Sequence, residues 1–167
     1  MNYLQITHDD VCNGNGLRVV LWLSGCSHHC YNCQNPQTWN PNSGIPFDEA
    51  AKQEIFDELA KDYISGITLS GGDPLHEQNL DGVLDLIKEI REKYPISPNA
   101  ISQNALKSSV LEPQNNNEIR ISFPEKTIWL YTGYDFQEIF RGESSCISKK
   151  GLNDFKRRQI IKLCDVI

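Results

Sequence analysis

Leu17-Arg18-Val19-Val20-Leu21-Trp22-Leu23-Ser24 runs directly into Gly25-Cys26-Ser27-His28-His29-Cys30-Tyr31-Asn32-Cys33. The first half is a short apolar run rich in β-formers and predicts a strand buried in a parallel sheet. The second half places three cysteines at C-x3-C-x2-C spacing. Asn13-Gly14-Asn15-Gly16, just before the strand, is turn chemistry.

Working outward, strands alternate with helical patterns. Asp48 can cap a helix after Pro46, with Phe47, Ala51, Ile55 and Leu59 recurring every fourth residue. Ile67-Thr68-Leu69 is a second strand, closed by Ser70-Gly71-Gly72-Asp73-Pro74. Leu80, Val83, Leu84, Ile87 and Ile90 predict a second amphipathic helix, ending near Tyr94. Thr127 to Tyr131 reads as a third strand, followed by Thr132-Gly133. Phe136, Ile139 and Phe140 suggest a short helix, and Phe155, Ile160, Ile161 and Leu163 a last helical face. Residues 164–167 read as a fourth strand barely begun. Each parallel pair needs a crossover helix, so this order predicts an α/β fold with a parallel sheet. Sites in such sheets lie at the carboxyl ends of the strands. The cysteine trio, Gly71-Gly72-Asp73 and Thr132-Gly133 each follow a strand and are expected at one sheet edge.

A chain of 167 residues is long enough for one domain with a real core. A net charge of −6 argues against a nucleic-acid binder with a basic face. No apolar run approaches the roughly 20 residues that span a bilayer. Residues 1–10 lack the basic and apolar blocks of a signal peptide, so a cytoplasmic protein is expected. Structural disulfides are rare in that compartment, so six cysteines need another reason. Cys12, Cys146 and Cys164 are scattered, as small buried hydrophobes are. The trio reads as a metal or redox site. Residues 97–126, rich in Ser, Asn, Gln and Pro, read as an inserted flexible loop within a single domain spanning 1–167.

Three thiolates can hold three corners of a 4Fe–4S cubane, leaving the fourth iron open. A zinc knot with His28 or His29 as fourth ligand is the alternative. A redox pair at Cys30 and Cys33 leaves Cys26 unexplained. Gly71 and Gly72 let the backbone approach a ligand closely. A carbonyl there and the Asp73 carboxylate can accept from an α-ammonium group. Read for packing alone, Arg18 is an exposed residue at a strand start and Trp39 a packing anchor. Trp129 and Tyr131 share one strand face.

The trio and Gly71-Gly72-Asp73-Pro74 resemble the radical S-adenosylmethionine superfamily, in which the last motif usually reads Gly-Gly-Glu-Pro. The resemblance narrows with Asn13-Gly14-Asn15-Gly16-Leu17-Arg18, Ser24-Gly25-Cys26-Ser27-His28-His29-Cys30 and Cys33-Gln34-Asn35-Pro36-Gln37-Thr38-Trp39. It continues in Asn42-Ser43-Gly44-Ile45-Pro46-Phe47, Leu69-Ser70-Gly71-Gly72-Asp73-Pro74-Leu75-His76 and Ile128-Trp129-Leu130-Tyr131-Thr132-Gly133-Tyr134. This ordered set is similar to the activating proteins of anaerobic ribonucleoside-triphosphate reductase, a family in which the Asp of Gly71-Gly72-Asp73 is usual.

The resemblance implies a partial (β/α) barrel with one 4Fe–4S cluster on Cys26, Cys30 and Cys33. It implies S-adenosylmethionine held by Gly71, Gly72, Asp73, Pro74, Asn32, Thr132 and Tyr131. Reductive cleavage would give a 5′-deoxyadenosyl radical that takes hydrogen from a glycine of the reductase large subunit. No catalytic side chain beyond the cluster is required, and an electron donor such as flavodoxin is implied. The alternatives are an activase of a formate-lyase type of glycyl-radical enzyme, or a zinc-stabilised binding module. Family members continue beyond Asp165-Val166-Ile167, so a shortened carboxyl terminus is expected here.

Overall fold

The computed structural model describes residues 1–95, 125–140 and 149–167. Cys146 and most of the expected 97–126 insertion lie outside them. Among the described residues five strands form one sheet: β1 (Asn2–Asp10), β2 (Leu17–Leu23), β3 (Ile45–Pro46), β4 (Ile64–Gly71) and β5 (Thr127–Leu130), in the order β3-β1-β2-β4-β5. Four α-helices among the same residues accompany it: α1 (Glu49–Leu59), α2 (Leu80–Lys93), α3 (Phe136–Phe140) and α4 (Lys149–Leu163).

The sheet is mixed and open, which corrects the expectation of a parallel sheet in a partial barrel. β2, β4 and β5 are mutually parallel, but β1 runs antiparallel to β2, and β3 antiparallel to β1. The reason lies in connection length. Six residues, 11–16, join β1 to β2, which permits a hairpin and not the dozen or more that a parallel crossover needs. The turn chemistry of 13–16 was legible; the strand before it was not. Asn2-Tyr3-Leu4-Gln5-Ile6-Thr7-His8-Asp9-Asp10 buries only Tyr3, so it lacks an apolar run.

Helical caps and faces follow the sequence closely. The Asp48 carboxylate accepts from the Ala51 backbone N–H at 2.9 Å, opening α1. Ala51, Ile55 and Leu59 then join one core with alternate residues of the parallel strands: Val19, Leu21, Leu23, Ile67, Leu69, Ile128 and Leu130. α2 adds Leu80, Val83, Leu84, Ile87 and Ile90, and α4 adds Ile160 and Ile161. Full burial of such side chains contributes about 1.5–3 kcal/mol each, the main favourable term here. On α4 the buried stripe runs through Gly151, Asp154, Arg157, Ile160 and Ile161. Phe155 falls beside it and is largely exposed, contrary to its expected place in the core face. The last residues dock on the free edge of β5. Val166 pairs with Trp129 in parallel, and the Asp165 carboxylate accepts from the Ile128 N–H at 2.6 Å.

The strand face turned away from this core carries Arg18 and Thr68, by the two-residue period of a strand. Arg18 is fully buried, not exposed as a strand-start residue would be. Its five N–H donors are all used. They reach Thr68 Oγ1 (2.7 Å), the Asn15 carbonyl (3.2 Å), Thr127 Oγ1 (2.8 Å), the Ile67 carbonyl (2.7 Å) and the Thr127 carbonyl (3.0 Å). One side chain thus clamps β2, β4 and β5 at their amino-terminal ends. With neutral acceptors around it, burial lowers its pKa to about 10. Lys126, the final residue of the expected insertion, is buried too. Its ammonium donates to the Lys61 carbonyl at 2.8 Å and anchors the entry to β5.

Arg18→Leu should lower the unfolding free energy by about 3 kcal/mol or more, because each stranded buried acceptor costs about 1–3 kcal/mol. Arg18→Lys should recover only part of it, since an ammonium cannot reproduce the five-donor fork. Urea melts of the three proteins check this; equal midpoints would show that the clamp contributes nothing. Cys164 gives a second test. Burial pushes its thiol from 9.0 up to about 12. Above pH 9 the unfolded chain releases this proton while the folded chain keeps it, so stability falls as pH rises towards 12. The decline in melting temperature over that range should be shallower in Cys164→Ala than in the parent.

Candidate metal centre

Leu23 at the end of β2 pairs with Gly71 at the end of β4. Beyond that pair the two chains stay in contact. Gly72 N–H donates to the Leu23 carbonyl at 2.7 Å, and Asp73 N–H to the Gly25 carbonyl at 2.8 Å. A Cβ on Gly72 would lie 2.6 Å from the Gly25 carbonyl oxygen, so this approach requires glycine. Gly25 and Cys26 donate in turn to the carbonyls of Thr38 and Trp39, at 2.7 and 3.1 Å. The 26–33 loop is thereby closed at its base. Asn79, fully buried, braces both sides through Nδ2 to the carbonyls of Ser24 (2.8 Å) and Asp73 (3.0 Å). Sequence reasoning missed Asn79. Its position before Leu80 carries no local signal, and its side chain makes no cap bond.

Cys26, Cys30 and Cys33 are free thiols on this loop, Cys30 exposed and the other two partly buried. His29 and Asn32 adopt left-handed backbone angles, φ 46° and 56°, which coil the loop. Burial raises the Cys26 pKa, and the backbone N–H groups of His28 and His29 act against that rise. Asn35 N–H donates to Cys33 Sγ at 3.4 Å. The His29 ring lies 4.7 Å from Trp39, and Tyr31 at the loop tip is almost wholly solvent-exposed.

The third strand end joins through Asp73, which is 2% exposed. Its Oδ1 accepts from Leu75 N–H at 2.8 Å and from the Thr132 hydroxyl at 2.9 Å. Its Oδ2 accepts from Gly133 N–H at 2.9 Å, with the Thr132 hydroxyl shared at 3.0 Å. His28 Nε2 also stands 2.9 Å from Oδ2, but off the axis of a hydrogen bond, and is otherwise without a partner. The carboxylate is therefore held mainly by the protein's own donors, with the His28 ring beside Oδ2. The structure brings Cys26, Gly71, Gly72, Asp73, Pro74 and Thr132 to one edge. Tyr131, just past β5, is 42% exposed there, and Asn32 lies in the exposed part of the cysteine loop.

The donor set suits a cubane. Each thiolate of a cubane binds a different iron, so the sulfurs need not meet around one point. Among the described residues no three His, Cys, Asp or Glu side chains are gathered around a single-ion position. The zinc alternative needs His28 or His29 as a ligand. Those rings face other neighbours, His28 beside Asp73 and Tyr134 and His29 beside Trp39. The N–H that Asn35 donates to Cys33 is a contact thiolate ligands ordinarily receive.

The comparisons with known proteins agree with this chemistry. A family model described as a 4Fe–4S single cluster domain matches residues 12–119. The anaerobic ribonucleoside-triphosphate reductase-activating protein of enterobacteria phage T4 is 37% identical over 139 residues, covering 83% of this chain and 70% of that protein. Its namesake from Escherichia coli K12 is 37% identical over 141 residues, with 83% and 73% covered. The protein of that name from Pasteurella multocida is 31% identical over 169 residues, with 100% and 81% covered. Identity at this level over most of both chains shows that this one belongs to the family of anaerobic ribonucleoside-triphosphate reductase-activating proteins.

Proposed function

We propose that the chain activates the large subunit of an anaerobic ribonucleoside-triphosphate reductase by generating a glycyl radical there, through reductive cleavage of S-adenosylmethionine at a 4Fe–4S cluster held by Cys26, Cys30 and Cys33. The observation that carries this reading is one loop with three free thiols, rooted on the ends of β2 and β4, with the Cys33 sulfur receiving a backbone N–H. When bound, the cluster supplies the electron that breaks the C5′–S bond and so yields the hydrogen-abstracting radical. The protein's share is positioning and exclusion of water.

Within that reading Gly71 and Gly72 present backbone to the methionine end, where no Cβ keeps a ligand away. Pro74 holds the turn rigid, since its ring fixes φ. Asp73 and Thr132 act from behind, fixing the turn against the end of β5. The part-exposed Tyr131 offers a ring to the adenine or ribose, and Asn32 lines the loop side. An external donor such as flavodoxin supplies the electron in the cytoplasm. Among the described residues no helix is long and apolar enough to cross a membrane.

Cys26→Ala, Cys30→Ala and Cys33→Ala should each load no 4Fe–4S cluster on anaerobic reconstitution, while Cys12→Ser and Cys164→Ser load iron and sulfide as the parent does. Normal iron in Cys30→Ala would remove the assignment. The reduced protein, mixed under anoxia with S-adenosylmethionine and the anaerobic reductase, should produce a glycyl doublet in electron paramagnetic resonance. A doublet only with a formate-lyase would assign a different partner.

A further inference from the structure

Just past β5, the Tyr131 N–H donates to the Leu69 carbonyl of β4 at 3.0 Å. Among the described residues this is the last backbone-to-backbone bond between the two segments. Beyond it the 71–75 turn and the 132–134 segment are joined through side chains. Asp73 makes the first tie, to Thr132 and Gly133. Arg157 makes the second, and it comes from α4. Its Nε donates to the Leu75 carbonyl at 3.0 Å and its Nη2 to the Tyr134 hydroxyl at 2.9 Å. The guanidinium carbon lies 4.3 Å from the centroid of the Tyr134 ring. These bonds close a circuit. The Leu75 N–H donates to Asp73 Oδ1 at 2.8 Å, the Tyr134 N–H to Thr132 Oγ1 at 3.2 Å, and the Thr132 hydroxyl to Asp73 Oδ1 at 2.9 Å. Arg157 is 8% exposed, and Asp154, three residues earlier on α4 and 6% exposed, balances its charge from 2.9 Å. Asp154 alone would neutralise the guanidinium. The bonds to Leu75 and Tyr134 reach 82 and 23 residues back along the chain, to the two strand ends.

We propose that Arg157 is a positioning residue for S-adenosylmethionine: from α4 it locks the 71–75 turn to the 132–134 segment and so fixes the backbone that receives the methionine end. The inference rests on the function proposed above. A ligand held by backbone groups is held only as well as those groups are placed, and a small misplacement at a reacting centre is costly. Arg157 bonds the carbonyl of Leu75, two residues beyond Asp73, and needs no contact with the ligand itself. The planar fork is what the task requires, since its separate N–H groups bond two segments at once.

The test uses the full chain, reconstituted anaerobically with iron and sulfide. Equilibrium dialysis gives the dissociation constant for labelled S-adenosylmethionine, and a thermal melt is run on each protein. Arg157→Lys keeps the charge opposite Asp154 but not the fork. It should load the cluster as the parent does and bind S-adenosylmethionine about threefold to tenfold more weakly, the equivalent of one lost hydrogen bond. The double variant Asp154→Leu/Arg157→Met removes both buried charges together, which is often neutral for stability. It should melt near the parent and still bind S-adenosylmethionine more weakly. Arg18→Lys, at the other end of the same strands, is the control: it should melt below the parent and bind S-adenosylmethionine as the parent does. Parental binding in the double variant would overturn the proposal, and so would an equal loss of binding in Arg18→Lys, which would mark general loosening. If the double variant does not fold, Arg157→Lys decides: weakened binding beside a parental Arg18→Lys supports the lock, and parental binding overturns it. Failure of both Arg157 variants to fold would make the residue structural and overturn it too. A parent that loads the cluster and binds no S-adenosylmethionine would overturn the proposed function instead, which separates the two failures.

Discussion

The site depends on the register between β2 and β4, which sets Leu23 opposite Gly71. Because the strands are parallel and end together, the two segments that follow leave from the same edge and stay within hydrogen-bonding reach. Gly72 and Asp73 continue the pairing with Leu23 and Gly25 for two more residues. The cysteine loop begins at the next residue. A shift of one residue would exchange the faces of β4, sending Ile67 and Leu69 out of the core. The apolar faces that fix the fold therefore also fix where the thiols emerge.

Two buried charges sit at opposite ends of the same three strands. Arg18 clamps the amino-terminal ends through neutral oxygens alone, and Asp73 gathers the carboxyl ends through Leu75, Thr132 and Gly133. A buried charge is tolerable only when its hydrogen bonds are met, and both residues satisfy that condition with long-range partners. An open sheet lacks the closure that holds barrel strands in place. Here polar clamps hold both ends, while the helices cover one face. Lys126 and Arg91 add further ties, the first to the Lys61 carbonyl, the second to Asp165 and the Leu163 carbonyl.

The cysteine loop is built differently from its frame. Its base is fixed by backbone bonds to Thr38 and Trp39, while Cys30 and Tyr31 face solvent. Left-handed angles at His29 and Asn32 cost conformational energy for residues with a Cβ.

Local chemistry was legible in the residues themselves. The Asp48 cap, the apolar faces of α1 and α2 and the parallel pairing of β2, β4 and β5 follow from spacing over a few residues. So does the start of a strand near Val166. The tertiary structure alone decided what depends on partners far along the chain. β1 became a strand because a short turn folds it onto β2, not because its own pattern is apolar. Arg18 is buried because Thr68 and Thr127, 50 and 109 residues away, supply oxygens that no local pattern announces. The donors that hold Asp73 beside Leu75 are not local: Thr132 and Gly133 arrive from 59 and 60 residues away. Hydrophobic periodicity reports which face of an element meets the core, and it carries no record of which polar group completes another's hydrogen bonds.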